Sequence, residues 1–157
     1  MATESSKHFR MIQEGWFSGD TKVLRGDVLV ARFSFGSWKT QGKISFDDVN
    51  YEVVRPKGLG TLLRLQRDGV AVCETRIGGM WSRRAELKLD GVRYLVTWPA
   101  FDAKTVLKRG DVEVGFVGKW RTWAREAEGV FVENVPTTVC VFVMWLAIHK
   151  RRMDSAD

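Results

Sequence analysis

The stretch Val139-Cys140-Val141-Phe142-Val143-Met144-Trp145-Leu146-Ala147-Ile148, closed by His149-Lys150-Arg151-Arg152, decides how this chain can fold. It is apolar on every face of a helix rather than along one stripe, so docking it on the outside of a sheet would leave one side in water. It must be enclosed. Extended back to Val135 it holds 14 residues, about 21 Å of helix against a bilayer hydrocarbon core of about 30 Å, which favours a buried core helix over a membrane span. A tail anchor with Lys150, Arg151 and Arg152 snorkelling to the headgroups stays open as the other use of the segment. Asn134 and Pro136 mark the helix start, through a side-chain acceptor and a preset φ, and the terminal basic run complements the negative end of the helix dipole. The helix is expected over 135–152.

Everything before it reads as short strands. Thr61 to Arg67, then Asp68-Gly69, then Val70 to Ile77 is the clearest hairpin, because both central residues of such a turn need positive φ. Ala85 to Leu89, Asp90-Gly91 and Val92 to Trp98 repeat the pattern, and Lys104 to Arg109 joins Val112 to Val117 through Gly110-Asp111. Weaker strand signals lie at Phe9 to Phe17, Lys22 to Leu24, Val28 to Phe35, Lys43 to Phe46, Tyr51 to Val54, Arg121 to Arg125 and Val130 to Glu133. This makes eleven to thirteen strands with regular turn signals, the mark of a sandwich or barrel. Twelve strands spaced by about 4.8 Å and tilted by about 40° close at a backbone diameter of about 24 Å, enough for a helix of about 10 Å and one layer of wall side chains. The expected fold is therefore mainly β, a closed antiparallel barrel of about 12 strands enclosing the C-terminal helix, with residues 1–8 disordered.

The composition agrees with one packed domain: 157 residues, 17.9 kDa, 45% hydrophobic and 28% charged. Lys and Arg exceed Asp and Glu by 25 to 19, and the excess is shared equally between the two halves of the sequence. That distribution argues against a basic arm for nucleic acid and against a polybasic membrane anchor, while leaving open a patch assembled by the fold. Cys73 and Cys140 each sit among apolar neighbours and read as buried thiols. The polar N-terminus carries no apolar signal core, so the expected location is cytoplasmic. Seven tryptophans are the unusual feature; Trp98, Trp120 and Trp81 occupy positions that can face the helix, and Trp123 an outward one.

The order of these elements resembles the tubby C-terminal-like superfamily, in its smaller LURP-one-related and phospholipid scramblase-like branch. The resemblance covers most of the chain. It rests on Thr105 to Trp120, with its strand, Gly110-Asp111 turn and Val114-Gly115 step, on the charged hairpin after it, and on Val135-Pro136 opening the apolar helix. It implies a central-helix barrel and, by analogy, association with anionic membrane lipids or phosphoinositides. The signature peptides of tubby proteins and the acidic calcium loop proposed for scramblases are not found, so no functional residue carries over by position.

Chemistry is sparse. His8, His149, Cys73 and Cys140 are the complete set of His and Cys, and none has metal-ligand spacing. Asp47-Asp48 with Asn50 offers oxygens to calcium but fits a hairpin turn better, and Lys57-Gly58-Leu59-Gly60-Thr61 lacks the end and following helix of a phosphate loop. Basic and aromatic residues interleave at Trp81-Ser82-Arg83-Arg84 and Lys119-Trp120-Arg121-Thr122-Trp123-Ala124-Arg125. On a strand, Lys119, Arg121, Trp123 and Arg125 would share one face, an exterior cationic strip suited to an anion or a lipid headgroup; a solvated face with Arg stems over Trp123 is the plainer alternative. Arg83 would stand at the barrel rim or pair with a carboxylate. The expected role is a non-enzymatic binding or scaffolding module with no cofactor or metal, whose partner is anionic membrane lipid or a protein. A calycin-like carrier of a small apolar ligand, prompted by Gly15-Trp16, is the alternative, and what fills the barrel separates the two.

Overall fold

The computed structural model describes residues 6–14, 20–35, 42–55, 62–77, 83–98, 104–121 and 125–155. Twelve strands follow in order: β1 (Ser6–Gln13), β2 (Thr21–Arg25), β3 (Val28–Phe35), β4 (Gly42–Phe46), β5 (Val49–Val54), β6 (Leu62–Arg67), β7 (Val70–Ile77), β8 (Arg84–Leu89), β9 (Val92–Thr97), β10 (Thr105–Arg109), β11 (Val112–Val117) and β12 (Glu126–Val132). Each is antiparallel to its neighbour, and β1 pairs with both β2 and β12, closing the barrel. The helix α1 (Thr137–Ser155) follows. From Val139 to Leu146 every residue is no more than 2% exposed, and the backbone of α1 approaches β3, β11 and β12. It fills the barrel, as its unbroken apolar surface requires.

Wall and helix meet at glycines. A Cβ on Gly42 would stand 2.9 Å from the Trp145 ring, and one on Gly129 would stand 3.0 Å from Met144 Sδ. Only a residue without a side chain lets the largest helix side chains reach the backbone there.

The barrel carries an internal repeat. Arg25-Gly26-Asp27-Val28, Arg67-Asp68-Gly69-Val70 and Arg109-Gly110-Asp111-Val112 follow one another at 42-residue intervals. The register shifts at Val23/Leu24, Leu65/Gln66 and Leu107/Lys108 keep the same interval, so three hairpins share one bulge, although both central residues take positive φ at Asp68-Gly69 and only the glycine does at Gly26-Asp27 and Gly110-Asp111. The hairpins between them match at 43 residues, with Tyr51 answering Tyr94 and Val53 answering Val96. The third place in this second series is taken by β12 and β1, from opposite ends of the chain.

Several sequence expectations need correction. Ser6 to His8 belong to β1 rather than to a disordered tail, because alternation turns Lys7 inward, where Nζ donates to the Val135 carbonyl at 2.6 Å and to Thr137 Oγ1 at 3.2 Å. That bond fixes the turn into α1. The helix starts at Thr137, not Val135; the Pro136 carbonyl accepts from the Cys140 N–H at 3.1 Å, which leaves Asn134 two residues short of the cap position. Of the expected strand Arg121 to Arg125, only the two end residues are described, and neither continues a strand. Arg121 makes one bridge to Glu126, and Arg125 has φ 53°, a left-handed conformation that reverses the chain and cannot continue a pleat.

Candidate functional site

The connections sort the molecule into two unlike ends. Strands β2–β3, β4–β5, β6–β7, β8–β9 and β10–β11 are joined by two-residue turns at one end, and β12 passes into α1 there. Asp47 and Asp48, with φ 54° and 60°, form one of these turns, so they serve the hairpin as expected. Longer connections, 14–20, 36–41, 55–61, 78–83, 98–104 and 118–125, all lie at the other end, where α1 emerges with its basic terminus.

This long-loop end gathers cations that are scattered in the sequence. Arg83, Arg84, Lys119, Arg121 and Arg125 lie in or beside its connections, Arg55 follows β5, and Lys150, Arg151 and Arg152 end the helix. The turn end carries the carboxylates of Asp27, Asp47, Asp48, Asp68, Asp90 and Asp111 together with Arg25, Arg67 and Arg109, and Glu14, Asp20 and Glu126 stand among the cations of the long-loop end. Of the tryptophans, Trp98 and Trp120 are described in connections of the long-loop end. By chain position, its connections hold Trp16, Trp38, Trp81, Trp98, Trp120 and Trp123; of these, Trp16, Trp38, Trp81 and Trp123 lie outside the described residues.

Two cations of the helix terminus rest on aromatic faces. The Arg151 guanidinium stands 5.0 Å from the Trp120 ring centre, and that of Arg152 stands 4.8 Å from the ring of Phe35. Such stacking holds the stems against the rim. Phe35 stacks on Trp145 at 5.4 Å, and Trp145 stacks on His149 at 4.8 Å with planes 14° apart. Burial, with the charges of Arg55 and Arg152 added, lowers His149 to a pKa of about 4. It is therefore neutral at pH 7, and its buried Nε2, like Nε1 of Trp98 and Trp145, has no hydrogen-bond partner.

An open groove of about 860 Å³ runs along the wall beside this rim, bounded by His8, Arg10, Leu24, Lys119, Trp120 and Arg121, with Glu126 and Glu128 in its lining. The sequence candidates Lys119 and Arg121 thus share a concave surface. The two glutamates would repel an anion, so an anionic group is best placed toward Lys119, Arg121 and the helix terminus. Arg125 stands at the turn into β12, its carbonyl accepting from the Gln13 N–H at 2.9 Å, and its side chain is half-buried. Arg83 and Arg84 are exposed at the start of β8, and the Arg83 carbonyl accepts from Trp98 N–H at 2.8 Å. Arg83 is a rim residue, on a different sector from the groove. Trp123 lies outside the described residues.

Sequence reasoning missed Arg55, Phe35, Arg151 and Arg152 as members of one surface. The available signal was the alternation of two-residue turns with connections of six to eight residues, which in a meander assigns every loop to one end. Both cysteine thiols are free and buried. Desolvation raises both Cys73 and Cys140 to a pKa of about 12, so neither presents a thiolate near neutrality. Among the described residues no three His, Cys, Asp or Glu side chains cluster to hold a metal ion, and no helix is long and apolar enough to cross a membrane. Comparison of the chain with family models, with curated proteins and with solved structures finds no match.

Proposed function

We propose that this barrel is a non-enzymatic binding module that takes anionic lipid headgroups at its long-loop end. The observation that carries the reading is the collection of Arg and Lys from several connections and from the helix terminus on one end. Cations interleaved with tryptophan suit a membrane surface, since indole rings settle at the headgroup level and basic groups meet lipid phosphate. Polyphosphorylated headgroups gain most, because each additional phosphate meets a further guanidinium. The module would then work peripherally at the cytoplasmic leaflet, where anionic lipids create a negative surface potential. A carrier of small apolar ligands would need an interior space, and α1 occupies it.

Flotation with vesicles tests the reading. Lys119, Arg121 and Arg152 are exposed, so reversing them to Glu should spare the fold. At about 1 kcal/mol per basic residue near an anionic surface, the triple reversal should lower affinity for phosphoinositide-containing vesicles by more than about 100-fold. Binding of the unaltered protein should weaken as salt rises from about 0.05 to 0.5 M. Absence of lipid-dependent flotation at low salt, or equal flotation of the triple variant, would remove the headgroup assignment.

A further inference from the structure

The groove on the outer wall carries charges of both signs in a fixed order. Its floor is β12, where Glu126 and Glu128, two residues apart on one strand, turn to the same outer face. Arg10 of β1 stands opposite Glu128 on one side. On the other side Arg121 bridges to Glu126, and the Gly118 N–H donates to the Glu128 carbonyl at 2.8 Å, so the segment from Gly118 to Arg121 is held to β12 at both ends. The two carboxylates therefore lie between two cationic flanks, Arg10 on one and Lys119 with Arg121 on the other.

Opposite charges facing each other across a ladder stabilise it by pairing. Among the described residues, none of these five side chains makes an ion pair. The groove keeps them open. Gly118 has no side chain where a Cβ would lie 3.5 Å from Glu128 Cγ, which leaves the space beside that glutamate clear. The volume of about 860 Å³ falls within the range of about 300 to 1,000 Å³ common to small-ligand sites. Unpaired charges in the order cation, carboxylate, cation around a concave surface complement a ligand whose order is anion, ammonium, anion.

Phosphoserine has that order, its ammonium standing between phosphate and carboxylate. We propose that the groove takes the phosphoserine headgroup of phosphatidylserine, with its phosphate at Lys119 and Arg121, its ammonium at Glu126 and Glu128, and its carboxylate at Arg10. The orientation follows from the rim. Arg121 and Glu126 adjoin the long-loop end, while Glu128 and Arg10 lie further down the wall. The phosphate, which carries the acylated glycerol, stays on the membrane side and the amino acid reaches down the groove. Such binding rests on the headgroup reading above and adds a choice among headgroups. An inositol headgroup brings no ammonium to the glutamates, ethanolamine brings no carboxylate to Arg10, and a phosphoserine within a peptide has amides in place of both charges.

Flotation of the full chain with phosphatidylcholine vesicles containing phosphatidylserine or, at equal mole fraction, phosphatidylglycerol tests this, since the two lipids carry the same net charge. Phosphatidylserine vesicles should bind about 10-fold more tightly. Glu126→Gln/Glu128→Gln should weaken binding to phosphatidylserine by about 10-fold and strengthen binding to phosphatidylglycerol by about 3-fold, because the same carboxylates attract an ammonium and repel a plain anion. Arg10→Gln, on an exposed side chain, should by itself weaken phosphatidylserine binding by about 5-fold, which keeps the test usable if the double variant folds poorly. Equal binding of the two lipids, or a double variant that shifts both in the same direction, would overturn the phosphoserine site and leave the headgroup reading standing. Binding to neither lipid at low salt would overturn both. Saturation by soluble glycerophosphoserine without flotation on phosphatidylserine vesicles would overturn the lipid as the source of the ligand.

Discussion

Gly42→Ala is the most direct probe of the helix–wall contact. Gly42 faces inward on β4, and an added Cβ would meet the Ser34 carbonyl oxygen and lie 2.9 Å from Trp145 Cζ2 and 3.0 Å from its Nε1. Relaxed contacts between carbon atoms are about 3.5 to 4.0 Å, so the ring would have to retreat by most of an ångström. It has little room to do so, since it stacks on Phe35 and His149 and lies 6.4 Å from the Phe142 ring. Overpacking of this kind costs about 1 to 3 kcal/mol, and contact with both a backbone oxygen and a pinned ring places Gly42→Ala at the upper end. Gly129→Ala is the internal control. Its nearest neighbours would be Met144 Sδ at 3.0 Å and Phe131 Cε2 at 3.1 Å, with no backbone atom among them; methionine moves through three rotatable bonds, so the cost should be smaller, about 1 kcal/mol. Urea unfolding followed by tryptophan fluorescence reads both. The variants should differ by about 2 kcal/mol, and Trp145→Phe should offset part of the Gly42→Ala loss, with a coupling of about 1 kcal/mol in a double-mutant cycle. Equal costs at the two glycines, or no coupling with Trp145, would refute the account of how the helix is seated.

Val143→Asp replaces a fully buried mid-helix residue; losing its burial and enclosing a carboxylate costs several kcal/mol, against a total stability of about 5 to 15, so circular dichroism should show an unfolded or aggregated chain. A soluble folded variant would put the helix outside the barrel. His149 has a folded pKa of about 4 against an ordinary 6.5; the unfolded chain therefore binds the extra proton first, and stability that is complete above pH 6.5 is lost as pH falls toward 4. Between pH 7.5 and 4.5 the loss assigned to this residue should be about 2.5 kcal/mol, and His149→Phe should remove that slope from chemical denaturation curves. Cys73 and Cys140, both buried with pKa about 12, should resist a disulfide reagent at pH 8 and react together on unfolding; rapid native labelling of either would contradict its placement.

The enclosed helix was legible because Val139 to Ile148 leaves no polar face, and the Asp-Gly turns because their residues take the φ the turn demands. Asp68 and Gly69 have φ 51° and 81°, and Asp90 and Gly91 have 49° and 80°. Alternating character in a short segment could not reveal the left-handed backbone at Arg125, which takes that residue out of any strand. Lys7 was read as part of a tail since no local pattern shows that its amine will meet Val135, 128 residues away. The 42-residue repeat was also in plain view, and its recurrent Arg, Asp, Gly and Val would have fixed strand number and loop ends together. The cationic end was not legible as a patch, for its members are distant in sequence and only the meander's alternation brings them to one side.

The central functional claim can be tested by an amide and indole chemical-shift titration of the isotopically labelled protein with a soluble inositol polyphosphate headgroup. Saturable shifts should concentrate at Lys119 to Arg121, Arg151, Arg152 and the Trp120 indole, with Asp68, Asp90 and Asp111 at the turn end unmoved. Shifts centred on the turn end, or none at headgroup concentrations where vesicles bind, would contradict it.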